Sequence, residues 1–383
     1  MRIAYVIHDC NREGGQERYI AELAERLGRR HEVHLYARTC RRLDCERVCF
    51  HPVAVPEQPI IVKSAAFFAR ASALVRREHF DIIHTIGACA GGQNVVTAQF
   101  VEAAWYERWR GLPDRGWGLL RTGYHRINSR FNMLCERRVY GARGLRAVIA
   151  VSRSVREELA HFYGLDGARI PVVYNGVDPA VYHPERRNEW RLQVRREFGI
   201  SADAPTLLFV GAFERKGLRY VIEAMRLIPD LRARLLVVGR GMGSGWSAIA
   251  AGAGVTDRVV FAGHHADTER FFAAADLFVM PTLYEPFGMV IAEAMASGLP
   301  VITSRLAGAA ELIDHKVDGV LLDEPTDPVA IAREITLLLR EPEQAGGMGR
   351  LARSKVEHYS WDYVVRETEA VYARALDGQG VRA

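Results

Sequence analysis

Tyr284-Glu285-Pro286-Phe287-Gly288-Met289-Val290-Ile291-Ala292-Glu293-Ala294-Met295-Ala296-Ser297-Gly298-Leu299-Pro300-Val301 is the stretch whose reading decides the fold. It sets two carboxylates, Glu285 and Glu293, around a glycine at a helix start. The preceding run, Leu277-Phe278-Val279-Met280-Pro281, reads as a buried strand. Gly288 to Ala296 has helical composition, and Ser297-Gly298 with Pro300 ends it. Strand, short loop and helix together make an anion site, because the first backbone N–H groups of a helix lack intrahelical partners. Eight residues of helix cover roughly 12 Å. That span suits a ligand with hydroxyl groups at both ends and phosphate between them.

Outward from this stretch, apolar strands and amphipathic helices alternate along nearly all of the 383 residues. Such alternation signals parallel, doubly wound sheets. In the first half, strands are predicted at Arg2–Ile7, Val33–Ala37, Asp81–His84, Val95–Gln99, Ala147–Val151 and Pro171–Tyr174. A new alternation begins at Thr206 and continues through Arg234–Gly239, Val259–Gly263, Leu277–Met280, Val301–Ser304 and Val320–Leu322. The turn-rich segment from Asn175 to about Glu189 separates the two. The reading is α/β, with Rossmann-like domains over 1–180 and 181–360 and a helix from Trp361 to Leu376 beyond the last strand. Length and the 49% hydrophobic content fit two well-cored domains. No apolar run reaches the roughly 18 residues of a membrane span.

The six cysteines all fall within the first 135 residues, and Met1 to Ile7 reads directly as a first strand rather than a leader. Reduced thiols in a cytoplasmic protein are expected. Cys40, Cys45, Cys49 and His51 invite a metal reading, but their spacing matches no zinc pattern, so no metal is expected.

The segment Glu-Pro-Phe-Gly-x4-Glu-Ala-Met-Ala-x-Gly-x-Pro-Val, from Glu285 to Val301, resembles the signature of the retaining GT-B glycosyltransferases of family 4. The resemblance spans most of the chain and is strongest from Asn175 to Ser304. It implies two Rossmann-like domains facing a cleft, with the final helix, 361–383, returning to the first domain. It implies a nucleotide-diphosphate sugar as donor, UDP being the commonest base among related enzymes. Glu285 would hold sugar hydroxyls and Glu293 the ribose, with Phe287, Gly288, Met289 and Val290 forming the helix start over the phosphates. Gly211-Ala212-Phe213-Glu214-Arg215-Lys216-Gly217 follows a strand and opens a helix. By resemblance, Arg215 and Lys216 neutralise the departing diphosphate in place of a divalent metal, and no Asp-x-Asp pair occurs in the sequence. No cofactor is implied, and the acceptor attacks from the front face, assisted by the leaving phosphate oxygen.

The remaining candidates are weaker as sequence signals. Gly14-Gly15 leads from the first strand into a helix and would permit positive φ and close ligand approach. Gly239-Arg240-Gly241-Met242-Gly243-Ser244-Gly245 departs from the dinucleotide fingerprint at Ser244, and the next strand ends without an acid. It reads as a pocket loop with Arg240 near phosphates or base, and His264 lies where the family's backbone meets the base. His84 ends its strand in an Asp-x-x-His setting, equally readable as catalytic or as a buried structural histidine. Gln99 stands where relatives place a His or Asp facing the reacting sugar; it can orient a hydroxyl but cannot act as a base.

Net charge is +5, yet Trp105 to Arg146 alone holds ten Arg against Glu107, Asp114 and Glu136, a local +7. With Trp105, Trp109 and Trp117 it reads as a surface for an anionic membrane and a lipid-linked or phosphorylated glycan acceptor. This part is similar to the membrane-facing part of lipopolysaccharide-core glucosyltransferases, which places the enzyme at the cytoplasmic face of the inner membrane. No nucleic-acid partner is expected. A nucleotide-sugar epimerase on the same fold, a transferase for a soluble acceptor, a glycosidase with its closer carboxylate pair, and a non-catalytic sugar-binding module are the alternatives.

Overall fold

The computed structural model describes residues 1–12, 14–44, 46–112, 119–230, 232–241 and 245–378. Cys45, Asp114, Trp117, Met242, Gly243 and Ser244, singled out above, lie outside the described residues. The chain forms two compact units, Met1–Asn175 with Trp361–Ala383, and Gly176–Ser360.

The first unit carries β1 (Arg2–Val6), β2 (Asp9–Asn11), β3 (Glu32–Ala37), β4 (Thr39–Arg41), β5 (Val48–Pro52), β6 (Ile82–Ile86), β7 (Val95–Ala98) and β8 (Ala147–Ala150). Its main sheet has the order β5-β3-β1-β6-β7-β8, and every pairing is parallel. The second unit carries β9 (Thr206–Val210), β10 (Arg234–Val238), β11 (Val259–Gly263), β12 (Leu277–Met280), β13 (Val301–Ser304) and β14 (Val320–Leu322). Its order, β11-β10-β9-β12-β13-β14, is likewise all parallel. Both sheets run outward one way from their first strand and then reverse, the doubly wound order that opens a crevice at the carboxyl ends of the two central strands. That crevice lies beyond β1 and β6 in one unit, and beyond β9 and β12 in the other.

The central strands form because they are apolar on both faces, as parallel strands covered by helices must be. Leu207, Phe209, Leu235, Val237, Phe278, Met280 and Ile302 are all fully enclosed. In the first unit Ala4, Val6 and Tyr36 pack against Phe67, Ala71 and Val75 of the helix Ile60–Val75. The helix Trp361–Leu376 completes this unit: Tyr372 Oη lies 2.7 Å from Tyr5 Oη, and Glu369 accepts from Arg30 at 2.9 Å.

Two expectations are corrected here. Pro171–Tyr174 is not a strand but a single bridge between Ala150 and Val172. Pro171 has no N–H to give a ladder, and the Asn175 side chain is engaged elsewhere, with Gln99. Conversely β5 was not anticipated. It is an edge strand of Val-Cys-Phe-His-Pro, too short and mixed to show a clean apolar pattern.

The second unit's first helix, Arg186–Glu197, is tied down by charge. Arg187, Arg191 and Arg195 recur at four-residue spacing and converge on Asp276, at 3.0, 2.8 and 2.8 Å. Asp276 also accepts from Thr206 N at 2.9 Å. Arg195 is almost wholly enclosed and donates to the carbonyls of Ala202, Ala204 and Ala274 as well. Burial pushes the Asp276 pKa up, but Arg191, Arg195 and Arg187 with the Thr206 amide outweigh it, leaving a net depression. A carboxylate held below its unfolded value stabilises fully above that value and loses the contribution as pH falls through the folded one. Asp276→Ala is therefore expected to cost about 3–5 kcal/mol, the scale for stranding a buried partner charge, read as a lowered urea midpoint. Asp276→Asn should also flatten the loss of stability of the wild type below about pH 4.

Candidate active site

The loop after β9 and the loop after β12 meet at the second sheet's reversal point. Gly211 opens the first at φ +129°, and Gly217 closes it at φ +78° as the N-cap of the helix Leu218–Met225. Both glycines are dictated by proximity as well as by φ. A Cβ on Gly211 would fall 2.5 Å from Lys216 Cδ, and one on Gly217 would fall 2.1 Å from the Pro281 carbonyl oxygen. The two loops are bonded to each other through Arg215: its carbonyl accepts from Leu283 N at 2.9 Å and Thr282 Oγ1 at 3.2 Å. Its guanidinium in turn donates to Tyr284 O at 2.6 Å.

This lacing brings three charges together. Glu285 Oε2 lies 3.2 Å from Arg215 Nη1 and 3.4 Å from Lys216 Nζ. The Lys216 and Glu285 side chains are only 10% and 12% exposed. Burial pulls the Lys216 pKa down, with Glu285 opposing and Arg215 adding to the shift. Burial acts on Glu285 in the upward direction, but Arg215 and Lys216 together hold its carboxyl below the ordinary carboxylate range. The cluster of two cations and one carboxylate carries one net positive charge in an enclosed place.

Behind Glu285 the backbone is fixed. Its N–H donates to Leu306 O at 3.2 Å, its carbonyl accepts from Gly308 N at 2.9 Å, and Phe287 O accepts from Ala309 N at 2.7 Å. Gly288, at φ +98°, caps the helix Met289–Ala296. The structure thus joins Arg215, Lys216, Glu285 and the helix start, as the sequence led one to expect. Glu293 lies on that helix and is 3% exposed. At the expected helix start, the Phe287 side chain is enclosed in the core. Met289 is likewise buried, and Val290 half-buried.

The next two strands contribute a more open corner. Arg240 Nη2 lies 3.2 Å from His264 Nδ1, both side chains exposed, just beyond the carboxyl ends of β10 and β11. Gly239, at φ +139°, allows the loop to pass Gly211, whose carbonyl oxygen a Cβ there would approach to 2.2 Å. Phe213 packs edge-on against Trp246, ring centroids 5.4 Å apart. Trp246, Thr282 and Tyr284 were not singled out from the sequence. Two of them act on Arg215 through main-chain or hydroxyl contacts, which leave no signature in the order of residues.

In the first unit, Gly14 is the N-cap of the helix Gly15–Leu27 with φ −102°. Positive φ at the Gly14-Gly15 pair is therefore not what the turn uses. A Cβ on Gly14 would fall 1.9 Å from Glu17 Oε2, the movable end of a side chain, so space does not demand glycine there either. Gln99, beyond β7, forms a reciprocal amide pair with Asn175, both bonds 3.0 Å, and is 7% exposed. His84 is fully enclosed between Thr97 Oγ1, 2.7 Å from Nε2, and Tyr372 Oη, 2.6 Å from Nδ1. Burial lowers its pKa to about 3, so the ring is neutral. With both nitrogens occupied inside the core, the catalytic reading of His84 gives way to the structural one.

Comparison with known proteins agrees with this architecture. Residues 13–181 match the model described as Glycosyltransferase Family 4, and residues 204–341 match Glycosyl transferases group 1. The chain belongs to the family 4 GT-B glycosyltransferases. Within this family, it is 34% identical over 239 residues to an uncharacterized glycosyltransferase, MJ1607, of Methanocaldococcus jannaschii. That match covers 61% of each protein, so the chain spans about three-fifths of this relative's length. A D-inositol 3-phosphate glycosyltransferase of Acidothermus cellulolyticus is 29% identical, over 97% of this chain and 88% of its own. Among solved structures, WaaG, a glycosyltransferase involved in lipopolysaccharide biosynthesis, superposes with a TM-score of 0.79 at 22% identity, covering 96% and 98% of the two chains.

For this glycosyltransferase, the Gly211 contact gives a direct test of the site. Gly211→Ala places a methyl group on the path of Lys216 and demands a φ that alanine resists. The variant is expected to retain its fold by circular dichroism and to gain less thermal stabilisation than the wild type when a nucleoside diphosphate is added.

Proposed function

We propose that this chain is a retaining hexosyltransferase that uses a nucleotide-diphosphate sugar, UDP-linked, and passes the sugar to an anionic glycan acceptor. The observation that carries the reading is the enclosed Arg215–Lys216–Glu285 cluster beside the helix start at Met289. Its net positive charge, together with the positive end of the helix, fits a diphosphate. Lys216 and Arg215 are placed to stabilise charge that develops on the leaving diphosphate, at no reorganisation cost because the loops already hold them. Glu285, ionised and braced from behind, accepts hydrogen bonds from sugar hydroxyls, and Glu293 binds the ribose. Gly14 and Gly15 contribute close backbone approach on the acceptor side, and Gln99 orients a hydroxyl. Arg240 and His264 line the nucleotide end.

The acceptor reading rests on the helix Leu119–Tyr140. Of the tryptophans the sequence pointed to, Trp109 is enclosed and stacked on His125, ring centroids 4.1 Å apart, and so is no anchor; Trp105 is half-buried, and Trp117 lies outside the described residues. Of its acids, Glu136 is structural. Glu102, just before the segment, accepts from Ser129 and Asn132, and Glu136 accepts from the Glu102 amide, which fastens the helix Glu102–Gly111 to its neighbour. What faces outward instead is Leu120, Tyr124, Ile127 and Leu134, 92%, 41%, 61% and 62% exposed. At 100° per residue they occupy about 80° of arc. Arg126, Arg130 and Arg137 are exposed along one side. An apolar stripe bordered by arginines suits an anionic lipid surface, and we propose that the enzyme meets a lipid-linked acceptor there, as a peripheral protein of the cytoplasmic face. Among the described residues no helix is long and apolar enough to cross a membrane. The similarity to a D-inositol 3-phosphate glycosyltransferase favours a second reading, a small soluble anionic acceptor.

Glu285→Gln should nearly abolish transfer from a radiolabelled nucleotide-sugar while leaving nucleotide affinity near wild type. Lys216→Ala should lower turnover roughly a hundredfold or more, and the wild type should keep its activity in EDTA. Near-normal transfer by Glu285→Gln, or chelator inhibition reversed by Mg²⁺, would overturn the assignment. Sedimentation with anionic vesicles separates the acceptor readings. Binding at low salt that weakens at high salt, and that falls in Ile127→Ser/Leu134→Ser and in Arg126→Ser/Arg130→Ser, is expected for the lipid-linked acceptor. Wild type that stays in the supernatant at low salt turns the choice to the soluble one.

A further inference from the structure

The edge of the first sheet gathers three side chains that the transfer reaction does not use. In the parallel pairing of β3 with β5, His34 is opposite Cys49 and Tyr36 is opposite His51. Residues two apart on a strand share a face, so Cys49 and His51 project on the same side as their cross-strand neighbour His34. Nδ1 of His34 lies 2.8 Å from Nε2 of His51, and with Cys49 Sγ the ligand atoms all fall within 4.8 Å of one another. We propose that His34, His51 and Cys49 bind one zinc-class transition-metal ion, which clips the edge strand β5 to β3.

The surroundings prepare the ligands. Glu32 Oε1 lies 2.8 Å from Nε2 of His34 and is itself held by Arg2 Nε at 2.8 Å. A carboxylate only accepts, so Nε2 carries the proton and the Nδ1 lone pair faces His51. Carboxylate behind imidazole is the arrangement that orients a metal-ligating histidine and raises its basicity. The His51 ring is fixed between two others, stacked on Tyr36 at 4.5 Å and on His34 at 5.0 Å. Zinc–nitrogen bonds of about 2.0–2.1 Å at a tetrahedral centre set two nitrogens about 3.3 Å apart, an opening of well under an ångström from the observed contact. His34 is buried while Cys49 is exposed, so an ion can enter from solvent and keep a water as its fourth ligand. Imidazole with thiolate selects zinc or copper(I) over the hard cations. On binding, the Cys49 thiol releases its proton, and the His51 proton moves from Nε2 to Nδ1. No oxidant or reductant is needed.

The spacing of Cys40, Cys45, Cys49 and His51 concealed this site because the third ligand, His34, comes from a different strand. The inference does not rest on the proposed transfer, and its test uses the whole chain with Co²⁺ and Zn²⁺ as probes. Wild type is expected to bind one Zn²⁺ by calorimetry. With Co²⁺ it should develop a near-ultraviolet sulfur-to-cobalt absorption. Cys49→Ser, at an exposed position that leaves folding unaffected, should abolish that absorption, and His34→Gln/His51→Gln should abolish stoichiometric binding. Glu32→Gln should weaken binding by about 10–100-fold. Absence of Zn²⁺ binding by wild type, or a cobalt spectrum indifferent to Cys49→Ser, would overturn the proposal, as would Zn²⁺ affinity unchanged in His34→Gln/His51→Gln.

Discussion

An enclosed lysine is tolerated only where opposite charge stands close to it, and the whole second unit is arranged around that requirement. Lys216 is buried, Glu285 is its counter-charge, and Arg215 adds a second cation to the same carboxylate. Desolvation alone would drive the ammonium toward its neutral form. The carboxylate opposes this, and the same two cations keep the carboxylate ionised. Each group therefore depends on the others being in place. Their places are set by backbone: Leu283 and Thr282 grip the Arg215 carbonyl, and Leu306 and Gly308 grip the two sides of Glu285. The glycines follow from this closeness. Gly211 makes room for the lysine stem and Gly217 for a neighbouring carbonyl.

The two units share one strand order yet use it differently. In the second, charge is concentrated at the reversal point, on loops after β9 and β12. In the first, the equivalent region is closed by neutral hydrogen bonding: His84 with Thr97 and Tyr372, Gln99 with Asn175. Asparagine and glutamine pair without desolvating a charge, so this end of the sheet can be rigid and uncharged. The two units thus differ at the same place in the fold: oriented neutral dipoles in the first, concentrated charge in the second.

How far the sequence discloses this differs by element. β11, β12, β13 and β14 coincide with the predicted strands: β12, β13 and β14 are buried throughout and so are written as plain apolar runs, and β11, half-buried at the sheet edge, is still the apolar run Val259-Val260-Phe261-Ala262. β5 was hidden because an edge strand is half covered and here contains Cys49, His51 and Pro52. Among the site residues, Arg215, Lys216, Glu285 and Gly288 could be read because their chemistry resides in residue type and spacing. Thr282 and Tyr284 could not, since Tyr284 acts through its carbonyl, which any residue could supply. His84 shows a different limit. Its setting admitted both a reactive and a structural histidine, and only the depth of its burial decides between them.

The helix Leu119–Tyr140 shows how composition and geometry can point to one surface through different residues. Counting charges there suggests ten arginines facing outward with tryptophans beside them. The fold spends part of that inventory internally. Trp109 becomes the core of a helix pair, Glu136 caps the partner helix, and Arg108 reaches Glu158 at 3.5 Å. Removing these from the surface does not remove its character, because Leu120, Ile127 and Leu134 are left outside, where burial against the same unit would have been favourable at roughly 1.5–3 kcal/mol each. Scattered exposed apolar residues are ordinary; several aligned on one helical face beside exposed arginines are not. Such a face repels a second basic copy of itself, and it is this charge that the proposed lipid contact rests on.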